Sequence, residues 1–176
     1  MASKEDGRTG YLIIIWESYE HHMKLKKDPA YPEMIKSLGL AVSGPIDVQH
    51  VDFDATKALD APATEISVIT LKADTSLEDF HAKSTAVREH LNNEPSCHAM
   101  VGGESRENKG TYFSLTGWDN IQVFAGRTYD LVERNLVAPK SHIDLTAKDE
   151  FKEFVKNFLE IADIDVAHSN MVKYPA

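Results

Sequence analysis

The hydrophobic and polar positions of residues 11–53 change their spacing twice. "YLIIIW", residues 11–16, is rich in β-branched and aromatic residues, which is typical of a buried strand. Apolar residues then recur at helical spacing from Glu17 to about Leu40, and Pro29 and Pro32 should break this helical region or start a second helix there. "SGP" at 43–45 ends the pattern. "IDVQHVDF", residues 46–53, alternates apolar and polar residues as a half-buried strand does. The pattern predicts strand, helix and strand over residues 11–53.

The remainder of the chain contains a longer series of elements. Residues 54–64, "DATKALDAPAT", are predicted to be a linker because they lack a periodicity strong enough to pack. Residues 65–174 are predicted to form a second unit of strand, helix, two strands, helical region and strand. The strands are "EISVITLKA", "CHAMVGGES", "TYFSLTGW" and "IDVAHSNMV", and the helices run to about Asn92 and from Asp119 to about Ile161.

Three ordered blocks of sequence occur in both units. "IIIWESYEHH" aligns with "SLTGWDNIQVF", "AYPEMIKSL" with "EFKEFVKNF", and "IDVQH" with "IDVAH". The first block is displaced by 102 positions (118 minus 16) and the second by 120 (151 minus 31), so the second copy contains about eighteen additional residues. We predict a helical insertion at about 126–143. The first copy lacks the opening strand, helix and strand, which makes it a half repeat.

The order strand, helix, strand, strand, helix, strand is that of the ferredoxin-like fold. With "WES" at the turn into the second helix and "IDVxH" on the last strand, the sequence resembles the dimeric α/β-barrel superfamily, and within it fungal proteins related to antibiotic-biosynthesis monooxygenases. The resemblance implies an α+β fold of antiparallel sheets with helices on one face, with one and a half repeats in the chain. It also implies that small hydrophobic ligands bind between a sheet and its helices.

The half repeat has a consequence for assembly. It would set two strands opposite four and leave an exposed sheet edge. We therefore expect the chain to associate with itself, most simply as a homodimer.

Composition excludes several classes of partner. The 28 acidic residues exceed the 19 basic ones and give a net charge of −9, which disfavours a nucleic-acid partner. No apolar run is long enough to span a membrane, and no signal peptide is evident. The single cysteine, Cys97, excludes an internal disulfide. We expect a cytoplasmic protein.

Histidines are the candidate catalytic residues, because imidazole titrates near neutrality and can act as a general base. His22 follows Trp16 by six residues, where the second copy has the apolar Phe124, so it is the histidine of the His21–His22 pair that we expect to face inward. His50 and His168 end the two "IDVxH" blocks, on the same face as the apolar residues before them. Each could instead have a purely structural role. The absence of HExxH, paired cysteines and a phosphate loop predicts no metal and no cofactor.

Aromatic side chains and one further histidine are the candidate ligand-binding residues. The same aromatic residues would also serve a hydrophobic core, so both roles stay open. The candidates are Trp16, Tyr19, His98, Tyr112, Trp118 and Phe124.

The resemblance implies a scaffold and not a single reaction, because the superfamily includes monooxygenases, polyketide cyclases, haem-degrading enzymes and proteins with no known activity. We predict a small-ligand-binding or interaction protein without a clear catalytic constellation. The alternative is a cofactor-free monooxygenase or a polyketide-cyclase-like enzyme that acts on an aromatic hydrophobic substrate with a histidine base.

Overall fold

The computed structural model describes residues 9–119, 149–169 and 171. The chain divides into two compact units. We call Leu12–His50 the N-terminal unit, and the described residues from Val51 onward, together with 9–11, the sheet unit. The predicted insertion at about 126–143 and the candidate residue Phe124 lie outside the described residues.

The N-terminal unit contains two helices, α1 (Tyr19–Leu25) and α2 (Tyr31–Gly39). Ser18 caps α1, because its side chain accepts a hydrogen bond from the backbone N–H of His21. Pro32 lies in the first turn of α2, where a missing N–H costs nothing. The helical region between Glu17 and Leu40 is therefore two helices, divided near Pro29 and Pro32 as predicted.

The strands predicted at 11–16 and 46–53 are not formed, and this part of the prediction is wrong. The structure describes every residue from 12 to 50 and assigns none of them to a strand. Beyond them, Val51 makes only an isolated antiparallel bridge with Ser105. A strand is stabilised by hydrogen bonds to a neighbouring strand, and suitable residue types alone do not supply that neighbour.

The segment 54–64, predicted as a linker, contains helix α3 (Thr56–Asp60). Ala55, Ala58 and Ala61 recur at a spacing of three and are all buried, Ala58 completely. A Cβ built on Gly117 would lie only 2.7 Å from the Cβ of Ala61, so α3 approaches the sheet very closely. The small alanine side chains make this close packing possible. A helix packed through alanines lacks the regularly spaced large apolar residues from which a helix is usually predicted.

The sheet unit contains one four-stranded antiparallel sheet. Its spatial order is β2-β3-β1-β4, which is the ferredoxin-like arrangement predicted from the sequence. The remaining elements in chain order are β1 (Ala63–Leu71), α4 (Leu77–Asn92), β2 (Cys97–Glu104), β3 (Thr111–Trp118), α5 (Asp149–Ile161) and β4 (Ala162–Ser169).

Helices α4 and α5 pack on one face of the sheet, as predicted. Side chains from both helices meet the sheet in a core cluster of Ile69, Phe80, Tyr112, Phe158 and Ala162. Trp118 and Ala63 pack with Leu91 of α4 in a second cluster. Because adjacent residues of a strand point to opposite faces, the contact of Gly117 with α3 places that short helix on the other face.

No helix in the described part of the chain is long and apolar enough to cross a membrane.

Candidate functional site

The sheet face that carries α4 and α5 has a polar row at its centre. Glu65 on β1 is directly paired with Thr116 on β3 and with His168 on β4. All three side chains are buried. The next two rows on the same face are Ser67, Ser114 and Val166, and then Ile69, Tyr112 and Ile164.

Glu65 is held by hydrogen bonds from its neighbours. The Ser67 hydroxyl donates to Glu65 Oε1 at 2.9 Å, and the Trp118 indole N–H donates to Oε2 at 3.3 Å. The Nε2 atom of His168 lies 3.9 Å from the same Oε2. Acidic side chains are rarely buried without such partners. The sheet therefore presents an anchored carboxyl group on its helix-covered face.

A cavity of about 430 Å³ lies between the sheet and the two helices, and Glu65 is the member of the polar row that lines it. A volume of this size is typical of sites for small organic molecules. Glu65, Ser67 and Ser114 line its sheet side, whereas His168 does not contribute to its lining. Apolar side chains from the helices form its walls, among them Phe80, Val87, Leu91, Phe154, Val155 and Phe158.

Helix α4 adds a hydroxyl group to the cavity wall. Ser84 Oγ is buried and has no hydrogen-bond partner among the described residues. A buried hydroxyl without a partner costs roughly 1–3 kcal/mol. A bound molecule that accepts from or donates to Ser84 would offset this cost.

Glu104 and Tyr112 lie at the other end of the cavity lining. Glu104 accepts a hydrogen bond from the backbone N–H of Gly110 at 3.0 Å, and this bond lowers the pKa of Glu104. Gly110 has φ of 77°, a conformation that favours glycine. Burial, with a smaller contribution from Glu104, raises the pKa of Tyr112. At neutral pH this end of the cavity therefore presents an ionised carboxylate and a protonated phenol.

Cys97 is paired in the sheet with Trp118. Burial, and then the nearby charge of Glu65, raise the pKa of the Cys97 thiol to about 11. Because the thiolate is the nucleophilic form, Cys97 is unsuited to nucleophilic catalysis at neutral pH.

A second cluster of side chains lies within the N-terminal unit. His22 Nδ1 is 2.6 Å from His50 Nε2, so one of these nitrogens carries the hydrogen and the other accepts it. His22 Nε2 lies 3.3 Å from the Tyr31 hydroxyl. The Trp16 ring stacks on His22 with centroids 4.7 Å apart, and Tyr19 meets His50 edge-on at 5.0 Å. Four of the candidate residues are therefore brought together, with Tyr31 as a fifth member.

The two "IDVxH" histidines do not occupy equivalent positions. His168 lies in β4, and Ile164 and Val166 on the same face line the cavity, as the period-2 pattern predicted. His50 lies outside any strand, and Ile46 and Val48 before it are each 44% exposed. The prediction that His50 ends a core-facing strand is wrong, because residues 46–50 have no neighbouring strand that would fix their alternation.

The other candidate residues are dispersed. Tyr112 lines the cavity, and Trp118 donates to Glu65. His98 is partly exposed, and its Nε2 lies 2.8 Å from Asp119 Oδ1 instead of reaching the cavity. No group of three or more metal-binding side chains occurs within the described residues.

Glu65 is the residue of this site that the sequence analysis missed. Its signal was present in "ATEISVITL", where Glu65 shares a face with Ala63, Ser67 and Ile69 by period-2 alternation. A charged residue on the inward face of a strand is uncommon and indicates a special role. A search for groups that titrate near neutrality selects histidines and passes over a glutamate.

The strand order and the two helices on one face are those of the ferredoxin-like α+β fold. A protein from Fusobacterium nucleatum, provisionally named a monooxygenase, matches 87% of this chain over 64% of its own length, with a TM-score of 0.54 and 12% identity.

Two further solved structures match a smaller part of the chain. One, from Bordetella bronchiseptica, is provisionally named an antibiotic biosynthesis monooxygenase and matches 64% of this chain and 99% of its own, with a TM-score of 0.47 and 17% identity. SnoaB, a cofactor-independent oxygenase from Streptomyces nogalater, matches 64% of this chain and 94% of its own, with a TM-score of 0.47 and 8% identity. The predicted affiliation with fungal proteins gains no support from these matches.

No protein-family model matches the chain, and no curated protein matches its sequence.

Proposed function

We propose that the sheet unit binds a small, largely apolar molecule in the cavity between its sheet and helices α4 and α5. The cavity itself supports this proposal, because a volume of about 430 Å³ lined largely by apolar side chains suits a compact organic ligand. A few polar groups on the sheet side, Glu65, Ser67 and Ser114, would fix the orientation of the ligand.

Binding can be tested by filling the cavity. Ser114 is buried and lines the sheet side, so Ser114→Leu would place an isobutyl group inside the cavity. We expect the neutral fluorescent probe N-phenyl-1-naphthylamine to bind the unmodified protein, and Ser114→Leu to weaken it by about tenfold or more, since a ligand cannot share the filled volume. Circular dichroism would verify that the variant is folded.

The matched control is Ser43→Leu, which adds the same group at an exposed position of the N-terminal unit. It should leave the affinity unchanged. If Ser114→Leu does not fold, Thr85→Phe fills the cavity from α4 instead. Equal affinity in the cavity-filling and control variants would refute binding in this cavity.

A second candidate function is cofactor-free oxygenation or cyclisation of an aromatic substrate. The buried Glu65 carboxyl group, with His168 Nε2 at 3.9 Å, favours it because such a pair can accept a proton from a bound molecule. The His22–His50 pair is the other proposed base. An oxygen electrode and product analysis with the bound aromatic molecule test this candidate. An enzyme would lose turnover in His168→Gln or His50→Gln with its melting temperature little changed.

We also propose that the chain self-associates through the N-terminal unit. Among residues 12–50, all of which are described, only His22 is buried. Leu12, Ile15 and Leu40 are 64%, 67% and 86% exposed. Burying such apolar side chains against a second copy of the chain would be favourable. Light scattering should show a dimer or larger assembly, and Ile15→Lys should shift it toward the monomer. A monodisperse monomer for the unmodified chain would contradict this proposal.

A further inference from the structure

The face of helix α4 that packs on the sheet contains one polar position. It consists of Phe80, Ser84, Val87 and Leu91, which recur at helical spacing and all line the cavity. Phe80 and Leu91 are buried in the two core clusters, and Val87 packs against both clusters. Large apolar residues are usual on a helix face that packs on a core, so the serine at position 84 interrupts the pattern.

The Ser84 hydroxyl does not contribute a hydrogen bond to the fold. Ser84 Oγ is buried and has no hydrogen-bond partner within residues 9–119, 149–169 and 171. A helical serine can donate to the carbonyl group four residues earlier, as Ser37 of α2 does to the Glu33 carbonyl oxygen at 2.9 Å. Ser84 does not make the equivalent bond to Phe80. A buried hydroxyl without a partner costs free energy, and a ligand that hydrogen-bonds to it would offset that cost.

The sheet side of the cavity also carries small residues. Ser114 on β3 pairs directly with Ser67 on β1 and with Gly102 on β2, and all three line the cavity. Small residues on both the helix side and the sheet side leave the space that the ligand is proposed to occupy. Rotation about the single χ1 angle of Ser84 allows its hydroxyl to follow a molecule bound in that space.

Resting on the proposed binding function, we infer that Ser84 positions the ligand through a hydrogen bond to a neutral oxygen atom, that of a carbonyl or a hydroxyl group. The two groups share the chemistry that a serine hydroxyl recognises, because it can donate to either of them. A charged group at Ser84 would lose its hydration in exchange for one hydroxyl, since Phe80, Val87 and Leu91 are apolar. Arg88 also lines the cavity, but it is exposed, so water screens its charge.

Two pairs of naphthalene derivatives with matched shapes test this inference by equilibrium dialysis. 2-Acetylnaphthalene and 2-isopropenylnaphthalene differ by a carbonyl oxygen in place of a methylene group, and 2-naphthol and 2-methylnaphthalene differ by a hydroxyl in place of a methyl group. Ser84→Ala should weaken the two oxygen-containing compounds about fivefold to tenfold and leave the two hydrocarbons unchanged. Each compound is compared with itself in the two proteins, so its own hydration cancels. The larger of the two losses distinguishes a carbonyl from a hydroxyl ligand.

Two variants control for effects other than the hydrogen bond. Ser37→Ala removes a helical serine that does not line the cavity and should leave all four affinities unchanged. Ser84→Thr keeps the hydroxyl and should keep the stronger binding of the oxygen-containing compounds relative to Ser84→Ala. Without a ligand, Ser84→Ala should melt at the same temperature as the unmodified protein or at a higher one, because the hydroxyl that it removes has no partner. A lower melting temperature would assign the hydroxyl to the fold and overturn the inference.

The outcomes separate the role of Ser84 from ligand binding itself. If none of the four compounds binds the unmodified protein, binding in the cavity fails and the role of Ser84 fails with it. If they bind and Ser84→Ala affects both members of each pair equally, ligand binding stands and the role of Ser84 is overturned. 2-Naphthoate tests the neutral class, since a loss on Ser84→Ala as large as that of 2-acetylnaphthalene would show that Ser84 serves a carboxylate equally well.

Discussion

The N-terminal unit and the sheet unit each contain a tryptophan beside a histidine-containing polar group, yet they hold it in different ways. In the sheet unit, the Trp118 indole donates to Glu65, and three neighbouring strands fix the positions of Trp118, Glu65 and His168. In the N-terminal unit, Trp16 stacks on His22, which contacts His50, without any strand. Similar residue types are therefore held by a hydrogen-bonded sheet in one unit and by side-chain contacts in the other.

This difference teaches what a short sequence pattern can specify. "IDVAH", residues 164–168, lies in β4 and pairs with β1, whereas "IDVQH", residues 46–50, has four of the same five residues and lies in no strand. Local propensity cannot distinguish the two. The presence of a neighbouring strand does, because most of the stabilisation of a strand comes from its cross-strand contacts.

The strongest test of the comparison replaces the two tryptophans. Trp118 is 1% exposed and packs in a core cluster, so Trp118→Ala should lower the free energy of unfolding by roughly 3–5 kcal/mol. Trp16 is half-buried and its main ring contact is with His22, so Trp16→Ala should cost only about 1 kcal/mol. Urea denaturation followed by circular dichroism measures both. Equal losses would show that the N-terminal unit is as tightly packed as the sheet unit.

Two glycines give a smaller and sharper contrast. A Cβ at Gly117 would lie 2.8 Å from the backbone oxygen of Ala58, so Gly117→Ala should destabilise the protein by about 1–3 kcal/mol as α3 is pushed away. A Cβ at Gly44 meets nothing within 4 Å, and Gly44→Ala should be neutral or stabilising by up to about 1 kcal/mol. The melting temperatures of the two variants measure this contrast. An unaffected melting temperature in Gly117→Ala would argue against the close packing of α3.

The thiol of Cys97 is a probe of burial in the sheet unit. Because Cys97 is the single cysteine of the chain, a thiol reagent reacts at this position and at no other cysteine. Its pKa of about 11 in the folded protein exceeds the ordinary value of 9.0, so an unfolded chain releases the thiol proton at lower pH than the folded one does. Stability from this group is complete below pH 9 and falls as the pH rises through about 11.

Alkylation of Cys97 by iodoacetamide, measured against pH, should rise with an inflection near 11 in the folded protein. Glu65→Gln should move the inflection to lower pH, because the Glu65 charge is the second cause of the shift. The control is Glu89→Gln, which removes the charge of an exposed acid of α4 and should leave the inflection of Cys97 alkylation unchanged. An inflection at the ordinary thiol value would mean that Cys97 is solvated.

The smallest effects are expected at exposed ion pairs, where the two units should behave alike. His98 pairs with Asp119 at 2.8 Å in the sheet unit, and His21 pairs with Glu17 at 3.2 Å in the N-terminal unit. Asp119→Asn and Glu17→Gln should each change the free energy of unfolding by less than about 1 kcal/mol, since water screens both pairs. A larger loss for one of them would indicate a structural role beyond charge pairing.

The sheet elements were predictable from local patterns. The segments "EISVITLKA" and "TYFSLTGW", predicted as strands, correspond to β1 and β3. Ser76 caps α4 and precedes acidic residues in its first turn, a local pattern typical of a helix start. Helix α3 was not predicted, because its packing depends on small alanines and on the space above Gly117. The site was predictable only in part. Of the predicted residues, His168 lies in the polar row, Tyr112 lines the cavity and Trp118 donates to Glu65, whereas Glu65 itself was missed.

The sequence alone determined the periodicity of each segment, and with it the α+β class and the identity of the residues that share a face in β1, β3 and β4. Only the tertiary structure decided which segments find a partner strand, that Glu65 lies between Thr116 and His168, and that a cavity remains beside Glu65. Periodicity depends only on residues that are close together in the sequence. Strand pairing and cavity shape depend on residues about fifty to a hundred positions apart, as for Glu65 with Thr116 and with His168, and their energies are settled only when those residues pack together.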